Sequence, residues 1–319
     1  MSAPGLIAIG LVALLVGAEL VVRGGSRVAR RLDISPIVIG LTVVSIGTSA
    51  PELAIGIEAA RDGVGELAIG NIAGTNILNL VFILGLSALL RPLPLRPQTL
   101  RLDLPMMSVA AVALLILATD RTLSHLDGVL LLLIAVSYTV VIVLLSRRER
   151  AGVREESPPH TRRHTAPTAI LEAAVLLAGI VTVVLGADWL VHGAEKLARQ
   201  LGVDDALIGL TVVAIGTSAP ELVTTVVSTI RRNRDVAIGN LIGSSVYNIA
   251  LILGVTALAD VDGLRVSAEL VRIDLPVMTV AVLACIPIFV RGRRVTRLNG
   301  GLFVLAYAIY LGYLILVRA

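Results

Sequence analysis

Glu52 and Glu221 lie in two copies of the same seven residues, GTSAPEL, at 47–53 and 216–222, and each copy sits inside a long apolar stretch. A carboxylate held in such surroundings is costly and marks function by default. Each glutamate follows a proline, Pro51 or Pro220. A proline within a helix removes a hydrogen bond and frees a carbonyl about one turn earlier. Gly47 and Gly216 loosen the same turn, so the freed carbonyls fall near Ser45 and Ala214. Thr48, Ser49, Thr217 and Ser218 add hydroxyl oxygens. The next apolar segment of each copy carries Thr75 with Asn79, matched by Ser244 with Asn248. Residues at this i, i+4 spacing share one helix face. The inventory is two carboxylates, hydroxyls, amide oxygens and loosened carbonyls, with no central His or Cys. Oxygen-only sets select hard cations such as Ca²⁺ and Na⁺ over zinc or copper. Two carboxylates balance one Ca²⁺. Emptied of it, they repel each other unless protons or monovalent cations enter, and that competition is a chemical basis for exchange.

Other polar residues have plainer readings. Asn71 and Asn240 follow a glycine near a helix start and read either as N-caps or as ligands. Asp103 and Asp274 each stand two residues before a proline at a helix start and read as caps. Glu19 precedes Arg23 by four residues and Asp188 precedes His192 by four, so these acids read as local helical pairs or as the lining of an access path. His125, His160, His164 and His192 form no metal spacing, and no cofactor is expected.

The elements that position these residues follow from composition. The chain has 319 residues, of which 56% are hydrophobic and only 16% charged, with a mean hydropathy of +0.92. Soluble domains carry roughly 25% charged residues. Ten apolar runs, near 4–22, 36–60, 67–90, 103–119, 126–146, 168–191, 206–230, 236–259, 274–290 and 299–317, have the length of membrane-spanning helices. Alternating barrel strands are not seen. The expected class is an all-α integral membrane protein whose first partner is the lipid bilayer.

The net charge of +4 does not indicate nucleic acid, because the charges sit in the turns between spans. One set of alternate turns holds 20 of the 27 Lys and Arg residues, among them Arg23, Arg31, Arg96, Arg231 and Arg294, and the other set with the C-terminus holds 7. By the positive-inside rule the richer set is cytoplasmic and both termini face outward. The protein is expected in the cell (inner) membrane, multi-pass. The N-terminus lacks a basic signal-peptide region, so the first helix is expected to be retained. The lone Cys285 allows no internal disulfide.

The chain repeats itself. Residues 40–53 match 209–222 at 13 of 14 positions, and 68–79 match 237–248 at six of twelve. "RLDLP" at 101–105 returns as "RIDLP" at 272–276. The organisation is a first five-helix repeat (1–146, motif region 40–79), a basic cytoplasmic linker (147–166) and a second five-helix repeat (167–319, motif region 209–248). Five is odd, so the copies have inverted topology. Inverted repeats with interrupted helices are typical of secondary transporters, with the site near the midplane where the repeats meet.

At these residues the sequence resembles the cation/Ca²⁺ exchanger superfamily, and most closely its sodium/calcium exchanger branch, in a prokaryotic form without the large cytoplasmic regulatory domain. The two GTSAPEL segments resemble its α-repeats, and the likeness spans the whole chain. The resemblance implies that the second, third, seventh and eighth helices surround the ions while the first and sixth slide as a gate. It implies ion ligation by Thr48, Ser49, Glu52, Thr75, Asn79, Thr217, Ser218, Glu221, Ser244 and Asn248, with backbone carbonyls from Ser45 and Ala214. Some members, including potassium-dependent ones, have Asp at the position of Asn248. Asn in both repeats is similar to the potassium-independent exchangers. The signature of the proton/calcium branch, resembling G-N-A-x-E, is absent.

The expected function is a Na⁺/Ca²⁺ antiporter, working as a monomer. The alternative is an H⁺/Ca²⁺ (or other divalent cation) antiporter. An intramembrane hydrolase needs a nucleophile with a base or a His-bearing metal cage, and a channel has no need of two near-identical inverted sites.

Overall fold

A computed structural model describes residues 2–32, 34–156, 166–201, 214–314 and 316. The first half runs through α1 (Ala3–Arg31), α2 (Pro36–Thr48), α3 (Ala50–Arg61), α4 (Gly65–Leu90), α5 (Thr99–Asp120) and α6 (His125–Glu156). The second runs through α7 (Ala166–Gln200), α8 (Ala214–Thr217), α9 (Ala219–Ile230), α10 (Arg234–Ala259), α11 (Leu270–Gly292) and α12 (Arg297–Tyr313). Among the described residues seven helices are long and apolar enough to cross a membrane, or eight if α2 and α3 count as one bent span. One more apolar helix is shorter, α9 with 12 residues, and α12 runs for 17. The span expected at 206–230 is only partly visible, because 206–213 lie outside the described residues. The linker is shorter than the sequence suggests. Helix α6 continues to Glu156 and α7 begins at Ala166, leaving 157–165 outside the described residues.

Leucine, valine and isoleucine on the outer faces, such as Leu133, Leu171, Ile309 and Val280, are more than half exposed and match a lipid surroundings. Inside, α4 and α10 carry the most buried apolar windows, 72% and 83%. They form the centre, with α5, α6 and α11 packed around them. Helices α1 and α7 form a separate layer against the motif helices.

Glycines set the closest approaches. Gly10, Gly17 and Gly24 of α1 face Leu190, Val183 and Leu176 of α7, and Gly179 and Gly186 of α7 face Val21 and Leu14. The partner numbers fall as the α1 numbers rise, so the two helices are antiparallel. A Cβ at Gly17 would stand 2.6 Å from the Val183 backbone nitrogen, and one at Gly186 would stand 2.7 Å from that of Leu14. Small residues let membrane helices meet backbone to backbone in this way.

Several helices contain a wide turn closed by i→i+5 bonds: Gly40–Val44, Leu78–Ile83, Thr99–Asp103, Asn248–Ile252 and Leu270–Asp274. Such turns cluster at functional sites. Four two-residue strands lie between helices: β1 (Leu93–Pro94), β2 (Thr122–Leu123), β3 (Leu264–Arg265) and β4 (Arg294–Val295). β1 pairs antiparallel with β4, and β2 with β3, so each pairing joins one half of the chain to the other.

Candidate ion-binding site

The bend between α2 and α3 is 43°, and it falls at Ser49 (φ −85°, ψ 14°). The equivalent joint between α8 and α9 is Ser218 (φ −88°, ψ 7°). Each joint places its proline in the first turn of the following helix, where a missing N–H is tolerated, and the glutamate beside it. The second contribution comes from α4 and α10. Asn79 lies in the wide turn Leu78–Ile83, and Asn248 opens the wide turn Asn248–Ile252.

These elements bring the expected residues together at the centre of the molecule. Ser45, Thr48, Ser49, Glu52, Asn79, Ser218, Glu221, Ser244 and Asn248 are at most 1% exposed, Thr75 is 3% and Thr217 is 7%. The Ser49 hydroxyl donates to Glu221 Oε1 at 3.1 Å, tying the joint of one half to the acid of the other. The reciprocal region holds Ser218 Oγ against Thr75 Oγ1 at 3.3 Å. The hydroxyls of Thr48 and Ser244 lie near the Glu221 carboxyl without a hydrogen bond to it, and Glu52 stands close enough to Glu221 for the two carboxyls to interact. Among the described residues no Lys or Arg pairs with either acid. Both oxygens of Glu52, Glu221 Oε2, the Ser244 hydroxyl and the full amides of Asn79 and Asn248 have no hydrogen-bond partner there. Buried polar atoms are nearly always satisfied. Here the unpartnered polar atoms come from four helices. Among the described residues no group of three or more His, Cys, Asp or Glu side chains forms a conventional metal cluster.

Three sequence readings are corrected. The Ser45 carbonyl is not freed by the proline: it accepts the Ser49 N–H at 3.1 Å and lies 3.3 Å from the Thr48 hydroxyl. Pro51 withdraws its donor four residues back, from Gly47. The side chain of Ser45 is also engaged, donating within reach of the carbonyls of Gly40 (2.6 Å), Asn240 (3.0 Å) and Gly239 (3.2 Å). Ala214 is the first described residue of α8.

Asn71 and Asn240 are not caps. The helices containing them start at Gly65 and Arg234, and the residues before those starts are Val64 and Asn233. Asn240 is fully buried and bonded to two other helices, as described below. Asp103 and Asp274 make no capping bond either. Each accepts a tyrosine hydroxyl instead, from Tyr138 at 3.2 Å and from Tyr310 at 3.3 Å, so each ties its helix to the next one along. The acidic pairs behave as local partners: Glu19–Arg23 at 2.5 Å and Asp188–His192 at 3.2 Å. Glu19 also reaches Arg231 across the layer at 2.8 Å.

The chain matches the family model described as sodium/calcium exchanger protein, over residues 2–144 and 171–316. It belongs to that family. The putative antiporter CaxA of Alkalimonas amylolytica is 34% identical over 312 residues, covering 95% of each chain. The sodium/calcium exchanger MaX1 of Methanosarcina acetivorans is 30% identical over 336 residues, again covering 95% of each. A structure of the sodium–calcium exchanger NCX_Mj, soaked with 10 mM Na⁺ and zero Ca²⁺, superposes with a TM-score of 0.85 at 28% identity, over 98% of each chain. The chain is thus a membrane protein of a cation/Ca²⁺ exchanger family, and both matched segments include a GTSAPEL copy.

Proposed function

We propose that this protein exchanges Ca²⁺ for Na⁺ across the cell membrane, by alternating access to one midplane site. The observation that carries the reading is the cage itself: two buried carboxyls without cationic partners, surrounded by neutral oxygens that lack hydrogen-bond donors among the described residues. Glu52, Glu221, Thr48, Ser49, Thr217, Ser218, Thr75, Asn79, Ser244 and Asn248 are its ligands, with Ala214 contributing only through the backbone. Two fixed negative charges suit one Ca²⁺ or its replacement by Na⁺ ions. The relatives named for sodium/calcium exchange favour Na⁺ as the counter-ion over H⁺.

The scaffold we infer is ten membrane helices in two inverted five-helix repeats, counting the α2–α3 and α8–α9 pairs as one span each. The strand pairing supports it. In an inverted arrangement the turns after the third and ninth spans share one membrane face, and those after the fourth and eighth share the other. β1–β4 and β2–β3 are these two pairings. The Arg96–Asp235 ion pair joins two Arg-rich turns, and the His125 ring to the Asp260 carbonyl (2.7 Å) joins two Arg-poor ones. The Arg-rich face is cytoplasmic, and the termini face outward. One chain contains both halves of the cage and works as a monomer.

Na⁺-loaded proteoliposomes should take up ⁴⁵Ca²⁺ only while an outward Na⁺ gradient exists. Uptake that continues after the gradient is collapsed would mean a channel rather than an antiporter.

A further inference from the structure

One layer from the cage toward the Arg-rich face, Asn240 of α10 bridges two other helices. Its Oδ1 lies 3.2 Å from the Thr48 hydroxyl of α2, and its Nδ2 donates to Thr225 Oγ1 of α9 at 3.1 Å. All three residues are fully buried. With both amide ends engaged, the side chain has one orientation, and it closes the cage on that side.

The opposite side is not built the same way. Position 71 also holds Asn, but Gly56 stands where Thr225 would be. Asn71 cannot form the same bridge. It is partly exposed, and its Nδ2 has no partner among the described residues. Beyond Thr225, Ser228 and Thr229 are buried with hydroxyls that lack partners there, and the equivalent residues of α3 are Ala59 and Ala60. Elsewhere in this chain helical hydroxyls, such as those of Thr42, Ser108 and Thr139, donate to the carbonyl four residues back. The two repeats thus hold equivalent layers in unequal states: bridged and fully buried at Asn240, unbridged and partly exposed at Asn71.

We propose that Asn240 is a one-sided gate, whose clasp on Thr48 and Thr225 closes the ion site toward the Arg-rich face and must release for ions to pass that way over Ser228 and Thr229. The role in exchange rests on the function proposed above; the clasp itself does not. Asn240 is a positioning residue, since it acts on the cage through Thr48. If the repeats exchange conformations during transport, Asn240 takes the partly exposed state in which Asn71 is found. Breaking the clasp therefore favours the conformer open to the Arg-rich face. A population shift raises apparent affinity at the face it opens and lowers it at the other, whereas loss of a ligand lowers it at both.

Two measurements test this. In a Cys285→Ser background, Ser228→Cys is labelled with an impermeant cationic thiol reagent applied at the Arg-rich face. Adding Thr225→Val removes one net hydrogen bond and should speed labelling about fivefold, while adding Asn71→Leu should not. Unchanged labelling with Thr225→Val overturns the clasp. Second, half-saturation by Ca²⁺ is measured at each face of sided vesicles for Thr225→Val and Asn240→Leu. Opposite shifts support the gate, and parallel shifts overturn it. Faster labelling in a protein that shows no Na⁺-driven Ca²⁺ uptake would leave the clasp standing and remove the exchange reading.

Discussion

Glu52 and Glu221 supply all the formal charge of the cage, so neutralising either should remove Ca²⁺ exchange. Glu52→Gln and Glu221→Gln keep the volume and remove one of two buried acids that have no cationic partner among the described residues, so both variants should insert and melt like the wild type while ⁴⁵Ca²⁺ uptake falls to background. Robust uptake by either would take that residue out of the central role. Asn248 makes a finer point. With two carboxyls rather than three, the cage has little electrostatic reason to bind an additional K⁺, and uptake should be the same with and without it. Asn248→Asp is nearly isosteric and places a third proton-binding group among the ligands, so the pH profile of its uptake should differ from that of the wild type. An identical pH profile would mean that residue 248 does not face the ions. The candidate site residues stood out because they recur at one offset and combine an acid, hydroxyls and a proline in apolar surroundings. Asn240 was also repeated, yet its role was hidden. It depends on Thr225, a residue that the first copy lacks, and on a fold that brings α2, α9 and α10 together. The tyrosine partners of Asp103 and Asp274 were hidden for the same reason: each lies about 35 residues away, on the next helix.

At the scale of elements, the wide turns and the glycine contacts were the parts least visible in sequence. A run such as "NILNLVFILG" reads as continuous helix, and nothing in its apolar pattern says that Leu78–Ile83 closes i→i+5. The α1–α7 layer could have been anticipated from glycines seven residues apart at 10, 17 and 24 and at 179, 186 and 193, a spacing that returns near one face every two turns. The contact it builds is backbone to backbone, and neither side has a flexible side chain to yield. Gly17→Val and Gly186→Val should therefore each cost about 1–3 kcal/mol through overpacking. Thermal unfolding in detergent checks this. A control at Gly74, where an added Cβ meets nothing within 4 Å, should stay near the wild type as Gly74→Ala.

At the scale of the molecule, the account needs two halves inserted in opposite senses, with the stretch between α6 and α7 on the Arg-rich side. A cysteine introduced by Ser157→Cys, in a Cys285→Ser background, should be protected from an impermeant thiol reagent outside intact cells and react once the cells are opened. Reaction from outside would reverse the topology. That the chain is mostly apolar helix followed from hydropathy, whereas the cross-pairing of β1 with β4 and β2 with β3 came only from the structure, since two-residue strands leave no pattern. The central claim is that two inverted halves share one oxygen cage whose Ca²⁺ is displaced by Na⁺. Its most direct test is ⁴⁵Ca²⁺ uptake into proteoliposomes under outward gradients of Na⁺, K⁺ or H⁺, each imposed alone. The account predicts uptake driven by Na⁺, none driven by K⁺ or H⁺, and none in the Glu221→Gln variant under any gradient. Uptake driven by H⁺ and indifferent to Na⁺ would contradict it.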